Sequence, residues 1–277
     1  MDLYTRNALE CSEITTRNYS TSFSLGVRTI DKKLRPAIYS IYGFVRFADE
    51  IVDTFHDQDK EKLLEDFRHN TYKAIDEGFS TNPILHAFQW AVNSYGIQSD
   101  HIEAFFYSMK MDLDHREFSQ EEYKRYIYGS AEVVGLMCLK VFYSGRDNEF
   151  RQLLPAARKL GEAFQKVNFL RDIRSDHSER GRVYFPDVSI DTFSACDKQF
   201  IEKEIWADFR DALPGIRSLD RKVRLGVYLA YRYYLELLRK IERENPENIK
   251  TMRFRVSNHH KLLLLVKCYL RNKLGWI

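Results

Sequence analysis

Glycine and proline are scarce in this sequence. The 277 residues include 12 glycines and 6 prolines, well below the share of roughly 12% that these two residues have in an average protein. Because both residues interrupt regular structure, their scarcity leaves long segments that are typical of helices. The 44% hydrophobic content can fill a substantial core. We therefore predict an all-α helical bundle that forms a single domain over residues 1–277.

Cysteine is also rare, and neither sign of charge dominates. The four cysteines lie far apart and form no CxxC pair and no cluster with histidines: Cys11, Cys138, Cys196 and Cys268. This spacing argues against a disulfide scaffold and a structural zinc site, and it fits a reducing cytoplasm. The net charge of +3, from 43 basic and 40 acidic residues, gives no reason to expect a nucleic-acid partner.

Long apolar runs are absent as well. The N-terminal segment MDLYTRNALE has no apolar stretch of signal-peptide length, and no run approaches the 18 or so apolar residues of a membrane span. The longest aliphatic run, LLLLV at 262–266, lies among Lys261, Lys267, Arg271 and Lys273. A helix packed on the core is the simpler interpretation of this segment, and a basic helix resting on an anionic membrane is the alternative. We expect a cytoplasmic protein, with this helix as the candidate for peripheral contact with the inner face of a membrane.

Apolar residues recur at the helical period of three and four along most of the chain. We expect a polar cap at YSTSF (19–23), Pro36 in the first turn of a helix, and breaks at LPG (213–215) and ENPEN (244–248). The predicted helices span 36–54, 58–78, 83–95, 99–112, 119–143, 149–176, 197–211, 215–242 and 257–274.

Two of these helices carry acidic residues at a spacing of four. In FADEIVDTFHD (47–57), Asp49 and Asp53 share one helix face, and Arg46 lies three residues before Asp49. In NFLRDIRSD (168–176), the residues Asn168, Asp172 and Asp176 lie on successive turns. Carboxylate and amide oxygens at this spacing suit Mg²⁺, which is often held by one or two carboxylates together with phosphate oxygens of a substrate. The alternative is that both sets simply face solvent.

Basic and aromatic residues accompany the acidic ones. Several cations lie within and around the second set and would either bind phosphate or form surface ion pairs: Lys166, Arg171, Arg174, Arg180 and Arg182. A diphosphate leaving an allylic carbon produces a carbocation, and aromatic faces stabilise such a cation without attacking it. The aromatic candidates for this pocket, which are also candidates for the core, are Tyr42, Phe44, Phe47, Phe164 and Phe169.

Four ordered blocks resemble the squalene and phytoene synthase family of head-to-head prenyl synthases. They are YSTSF (19–23), IYGFVRFADEIVD (41–53), YIYGSAEVVG (126–135) and QKVNFLRDIRSDHSERGRVYFP (165–186). The resemblance covers nearly the whole chain. It implies an all-α isoprenoid-synthase fold with a central cavity, and a Mg²⁺-dependent condensation of two allylic diphosphates, with Mn²⁺ as a substitute metal.

The resemblance also assigns roles to residues of this sequence. Metal ligands and acidic motifs would be Asp49, Asp53, Asn168, Asp172 and Asp176. Substrate contacts would come from Tyr42, Ser20, Ser22, Arg46, Arg171, Arg182, Tyr184 and Tyr234, with Arg182 and Tyr184 in a flap after the second motif. The chain departs from the family at Glu132, where a small glycine is usual. We expect Glu132 to be a solvated neighbour of the cavity, and a metal or arginine partner is the alternative.

The wording of two blocks is most similar to that of bacterial phytoene synthases. It implies that two geranylgeranyl diphosphates form phytoene through prephytoene diphosphate in carotenoid biosynthesis. If Gly26 and Val27 lie at the floor of an apolar tunnel, their small size leaves room for such long chains. The alternatives are a squalene or dehydrosqualene synthase that uses two farnesyl diphosphates, and a helical membrane-surface binding protein without catalysis. A head-to-tail prenyl synthase or terpene cyclase is disfavoured because DDxxD is missing.

Overall fold

The fold was analysed in a computed structural model that describes residues 1–114, 117–178, 181–186, 188–189 and 192–277. Helices make up 79% of the chain, and the described residues include no strand. The predicted all-α class is therefore confirmed. None of the helices in the described part is long and apolar enough to cross a membrane.

The helices within these residues are, in order, α1 Leu3–Tyr19, α2 Thr21–Val27, α3 Arg35–Asp53, α4 Lys60–Glu77, α5 Pro83–Tyr95, α6 Ser99–Asp114, α7 Gln120–Ile127, a π-helical segment Tyr128–Glu132, α8 Val133–Phe142, α9 Asp147–Ser178, α10 Ala195–Ser218, α11 Arg221–Glu242, α12 Pro246–Thr251 and α13 Asn258–Lys273.

Side-chain caps explain many of the helix boundaries. The Ser20 hydroxyl, in the predicted YSTSF cap, accepts a hydrogen bond from the backbone N–H of Phe23 at 3.2 Å and begins α2. Ser119 and Ser194 each form a capping box at the start of α7 and α10. Helix α4 ends at Gly78, which has a φ of 65° that other residues rarely adopt.

One predicted boundary is wrong, and one predicted helix is not α-helical throughout. The predicted break at LPG does not occur, because α10 continues through Pro214 to Ser218. Pro214 has no N–H, so the backbone carbonyl of Arg210 has no helical hydrogen-bond partner. Both residues lie on the exposed side of α10, where water can donate a hydrogen bond to that carbonyl. The predicted helix 119–143 contains a π-helical turn in its middle. There Gly129 lies so close to α6 that a Cβ would stand 2.2 Å from the Ala104 carbonyl oxygen.

Two apolar cores lie side by side. The first is built mainly by α3 to α6 and α8, and the Phe44 and Phe88 rings stack within it at 3.8 Å. The second is built mainly by α9, α10 and α11, and it includes Leu170, Phe209 and Leu238. Helix α3 therefore belongs to the first core, and the C-terminal half of α9 belongs to the second. The two acidic sets come from helices of different cores.

Helix α2 packs closely on α11 through two glycines. A Cβ on Gly226 would lie 2.8 Å from the carbonyl oxygen of Gly26 and 2.5 Å from the Ile30 side chain. The small size of Gly26 thus serves a helix contact, and Val27 is buried in the first core. Neither residue supports the hypothesis that the pair forms a tunnel floor.

Candidate active site

The first acidic set lies in the last two turns of α3. Ala48, Ile51 and Val52 point into the core, which leaves Asp49 and Asp53 on the opposite side of the helix. Arg46, one turn earlier, forms an ion pair with Glu50 and lies 4.0 Å from the Asp49 carboxylate. Its guanidinium also covers the Tyr19 ring at 4.4 Å. These contacts hold a cation beside the acidic pair.

Asp49 is partly buried near the C-terminal end of α3. A third of its side chain, 33%, remains exposed, although protein atoms surround it closely. This burial raises the pKa of Asp49 to about 7, and the nearby carboxylates of Asp53 and Asp112 add to the effect against the opposing charge of Arg46. Like charges concentrated in this way favour the binding of a cation.

The second acidic set follows one face of α9. The Asp172 carboxylate receives hydrogen bonds from Arg171 and an ion pair from Arg253 at 3.0 Å. The Tyr234 hydroxyl, on α11, donates to the side-chain oxygen of Asn168 at 3.2 Å. Burial opposes the charge on Arg171, but the bonds to Asp172 raise its pKa above the ordinary arginine value. This side of the site therefore combines fixed cations with oxygen donors.

Arg182 joins the two acidic sets. Its Nη1 atom lies 3.0 Å from Asp53 Oδ1 and 3.5 Å from Asp112 Oδ1, and its backbone N–H donates to the Asp176 carbonyl oxygen at 2.8 Å. The Tyr184 hydroxyl donates to Asp112 at 2.8 Å. Arg182 and Tyr184 are both buried. Arg182 and Tyr184 thus lie between α3 and α6 on one side and the C-terminal end of α9 on the other, and their role as a flap stays a prediction.

Tyrosines make a second connection between α3 and α9. Burial raises the pKa of Tyr42 to about 12, the Ser20 hydroxyl hydrogen-bonds to it, and Tyr234 is close enough to raise its pKa further. Tyr234 in turn stacks on Phe164 at 4.0 Å. Ser22, on the first turn of α2, is half-buried. Tyr42, Tyr234 and Phe164 therefore form an aromatic wall beside the acidic sets.

Other predicted residues lie elsewhere. Phe44 is buried in the first core, and Phe47 is 38% exposed. Lys166 pairs with Asp208 and Glu162 inside the bundle, and Arg174 donates to the Thr251 carbonyl oxygen. The ion-pair alternative is therefore the better description of Lys166. Arg180 lies outside the described residues.

The solvated position expected for Glu132 is wrong. Its side chain is 8% exposed and forms an ion pair with Arg158 of α9. Burial raises the pKa of Glu132 against the opposing effect of Arg158. The Arg158 guanidinium also covers the Tyr128 ring at 5.2 Å. The alternative of an arginine partner is therefore correct, and Glu132 fastens the π-helical segment to α9.

The donor set fits a divalent metal held together with a substrate. The oxygens of Asp49, Asp53, Asn168, Asp172 and Asp176 are of the type that Mg²⁺ prefers. Within the described residues, no three His, Cys, Asp or Glu side chains are already grouped closely enough to hold a metal by themselves. Magnesium needs few protein ligands when phosphate oxygens complete its shell, so this donor set remains compatible with the prediction.

Two residues of the site were missed from the sequence. Asp112 on α6 is buried and receives hydrogen bonds from Tyr126 and Tyr184, and burial raises its pKa to about 6. Its signal was a carboxylate on the core-facing stripe of a helix, seven residues after Phe105. Arg253 follows α12 and had no local signal, because only the fold brings it to Asp172.

The all-α fold is that of the isoprenoid synthases. The family model for squalene/phytoene synthase matches residues 16–260, and the chain belongs to this family. The family comprises head-to-head prenyltransferases that bind isoprenoid diphosphates.

Relatives and solved structures agree with this family. The chain is 30% identical to phytoene synthase 2, chloroplastic, of Oryza sativa subsp. japonica over 98% of this chain and 71% of the rice protein. It is 26% identical to a phytoene synthase of Arthrospira platensis over 94% of this chain and 92% of the relative. It spans 65% of phytoene synthase 3, chloroplastic, of Zea mays, at 27% identity over 95% of its own length. A dehydrosqualene synthase crystal structure shares the fold, with a TM-score of 0.82, 20% identity and 98% coverage of both chains.

Proposed function

We propose that the chain is a phytoene synthase that condenses two molecules of geranylgeranyl diphosphate head to head, through prephytoene diphosphate, in carotenoid biosynthesis. The observation that supports this proposal is Arg182, whose guanidinium contacts Asp53 of the first acidic set and whose backbone N–H donates to the carbonyl oxygen of Asp176 in the second. The relatives named phytoene synthase support the choice of substrate.

Three arginines would bind the diphosphates. Arg46 lies beside the first acidic set, and Arg171 and Arg253 lie beside the second, so each set has a cation for phosphate oxygens. Mg²⁺ held by Asp49, Asp53, Asn168, Asp172 and Asp176 would supply the charge that stabilises the departing diphosphate. The aromatic wall would face the carbocation and exclude water from it.

The proposed reaction needs no reductant. In the first half, a C–O bond breaks with its electron pair on the diphosphate, a C–C bond forms to the double bond of the second substrate, and a proton leaves as the cyclopropane closes. In the second half, the other diphosphate leaves, the ring rearranges, and loss of a second proton gives phytoene. A squalene synthase would need a hydride donor at this last step.

Condensation of two farnesyl diphosphates is the second candidate, because the dehydrosqualene synthase structure shares this fold. The deciding experiment gives the purified enzyme equal amounts of differently labelled farnesyl and geranylgeranyl diphosphates with Mg²⁺. We expect C40 phytoene as the main product, without added nicotinamide cofactor. Exclusive formation of a C30 product would contradict the proposed substrate.

Removal of the metal should stop the reaction reversibly. With EDTA we expect turnover to fall at least about a thousandfold, because the departing diphosphate then lacks its main counter-charge. Added Mg²⁺ should restore the activity fully and Mn²⁺ should restore it in part. Unchanged turnover in EDTA would contradict a metal-dependent mechanism.

A further inference from the structure

Helix α13 carries an apolar face that no other part of the described chain covers. Its five members are each between 48% and 59% exposed: Leu262, Leu263, Val266, Tyr269 and Leu270. At 100° per residue they occupy an arc of about 120° on one side of the helix. We call these five residues the α13 face. Trp276, just beyond the helix, is 70% exposed.

The opposite side of α13 holds the helix in place. Leu264 and Cys268 are buried in the second core, and α13 packs on α11. The Tyr233 hydroxyl donates to the Lys261 carbonyl oxygen at 2.9 Å. Because the inner side is anchored in this way, the α13 face has a fixed orientation toward the outside of the molecule.

The charged residues of the C-terminal segment have one sign. Residues 248–277 include no Asp or Glu, although the whole chain has a net charge of only +3. The basic residues of this segment are Lys250, Arg253, Arg255, Lys261, Lys267, Arg271 and Lys273. Lys273 lies within the arc of the α13 face and Lys267 lies about 40° beyond its edge, whereas Arg271 is nearer the inner side and donates to the Tyr228 hydroxyl of α11 at 3.3 Å. The remainder of the chain is therefore net acidic, and the positive charge is concentrated at this end.

We propose that the α13 face docks on an anionic phospholipid surface. An apolar stripe bordered by lysine, with a tyrosine and a tryptophan at its edge, matches the boundary between acyl chains and anionic headgroups. A second copy of this chain is a poorer occupant. A twofold contact through the same face would press the lysines of both copies together without an acidic residue to neutralise them.

The docked surface would lie next to the candidate substrate entrance. Lys261, at the start of α13, donates to the Thr21 hydroxyl of α2 at 2.9 Å. Thr21 stands between Ser20 and Ser22, and Tyr233 neighbours Tyr234 of the aromatic wall. Docking through the α13 face thus places the lipid beside helices α2 and α11. At this position an apolar chain can pass directly between the bilayer and the protein.

The test measures partitioning of the full chain onto vesicles of phosphatidylcholine, with and without phosphatidylglycerol, by co-sedimentation without substrate. We expect binding to the phosphatidylglycerol vesicles that weakens as salt is added. The double variant Leu263→Asp/Leu270→Asp should bind about a hundredfold more weakly, because two apolar side chains no longer enter the interface. Lys267→Gln and Lys273→Gln should each weaken binding about fivefold.

The matched control is Ile14→Asp/Phe200→Asp, which changes two apolar residues on α1 and α10 that are at least as exposed as Leu263 and Leu270, and it should bind as the parent does. Equal unfolding temperatures for all variants will show that the fold is retained, and the two lysine variants decide the question if the aspartate variant does not fold.

Three results would overturn the proposal. The first is that the aspartate or lysine variants bind the phosphatidylglycerol vesicles as tightly as the parent. The second is that the parent binds equally well to vesicles of phosphatidylcholine alone. The third is that the protein forms a concentration-dependent dimer and does not bind vesicles. Because no turnover is measured, the outcome is independent of the proposed reaction.

Discussion

Single side chains decide how the two acidic sets meet. The Arg182 guanidinium contacts carboxylates of α3 and α6, while its backbone N–H bonds to α9. Asp49, Asp53, Asn168, Asp172 and Asp176 were selected from the sequence because their spacing repeats the helical period. Asp112 and Arg253 were not, since Asp112 has no acidic residue four positions away and Arg253 reaches Asp172 only through the tertiary fold. Local spacing therefore identifies the members of a motif but not the side chains that join motifs.

Arg253 offers a test at this scale. We expect Arg253→Ala to raise the KM for the isoprenoid diphosphate about tenfold or more, because one charge-assisted contact with phosphate is worth about 1.5–3 kcal/mol. Asp172 keeps its bonds to Arg171, so the fold should not change. Steady-state kinetics in detergent solution measures the effect.

Arg255→Ala is the matched control. Arg255 is an exposed arginine of the same segment. Its replacement removes the same positive charge and leaves the contacts of Asp172 unchanged. We expect its KM to stay within about twofold of the parent value. Equal changes in both variants would indicate a general charge effect and would remove Arg253 from the site.

Helices were predicted well where their ends carry a local chemical signal. The bounds of α3, α4, α5 and α13 agree with the prediction to within two residues, because Pro36, Asp59, Asn82 and Ser257 begin these helices. The π-helical turn and the continuation of α10 through Pro214 were missed. Both depend on what packs against the helix, and the periodicity of apolar residues does not record this.

A buried ion network fastens α9 to α10. Lys166 and Asp208, 7% and 6% exposed, form a pair at 2.8 Å, and Lys159 also binds Asp208 at 2.8 Å. Burial alone would lower the pKa of Lys166, but the bonds to Asp208 and Glu162 raise it. Both lysines are therefore held charged by Asp208 together with Glu162. This network supports the stretch of α9 that leads into Asn168.

Asp208→Ala should destabilise the protein. We expect its free energy of unfolding to fall by about 2 kcal/mol, because the buried Lys166 charge loses one of its two carboxylate partners and keeps only Glu162. The control is Asp211→Ala on the same helix, where the pair with Arg210 is exposed and should contribute less than about 1 kcal/mol. Urea unfolding curves measure both values. A loss below about 1 kcal/mol for Asp208→Ala would show that the network does not stabilise the α9–α10 contact.

At the scale of the whole molecule, the candidate site lies where the two apolar cores meet. The order of the four sequence blocks predicted the family and the all-α fold, both of which are confirmed. The chain length of the substrate could not be predicted in the same way. The depth of an apolar tunnel depends on how side chains of both cores pack, and Gly26, chosen for its size, proved to serve the contact with α11.

The central claim is that oxygen donors on α3 and α9 act together on one pair of isoprenoid diphosphates. Its most direct test compares turnover of labelled geranylgeranyl diphosphate, with farnesyl diphosphate in parallel, by Asp49→Asn, Asp172→Asn and the exposed control Asp57→Asn. We predict that both motif variants fold normally but lose at least about a thousandfold in product formation, whereas the control keeps the parent rate. Near-parental turnover by either motif variant would contradict the claim.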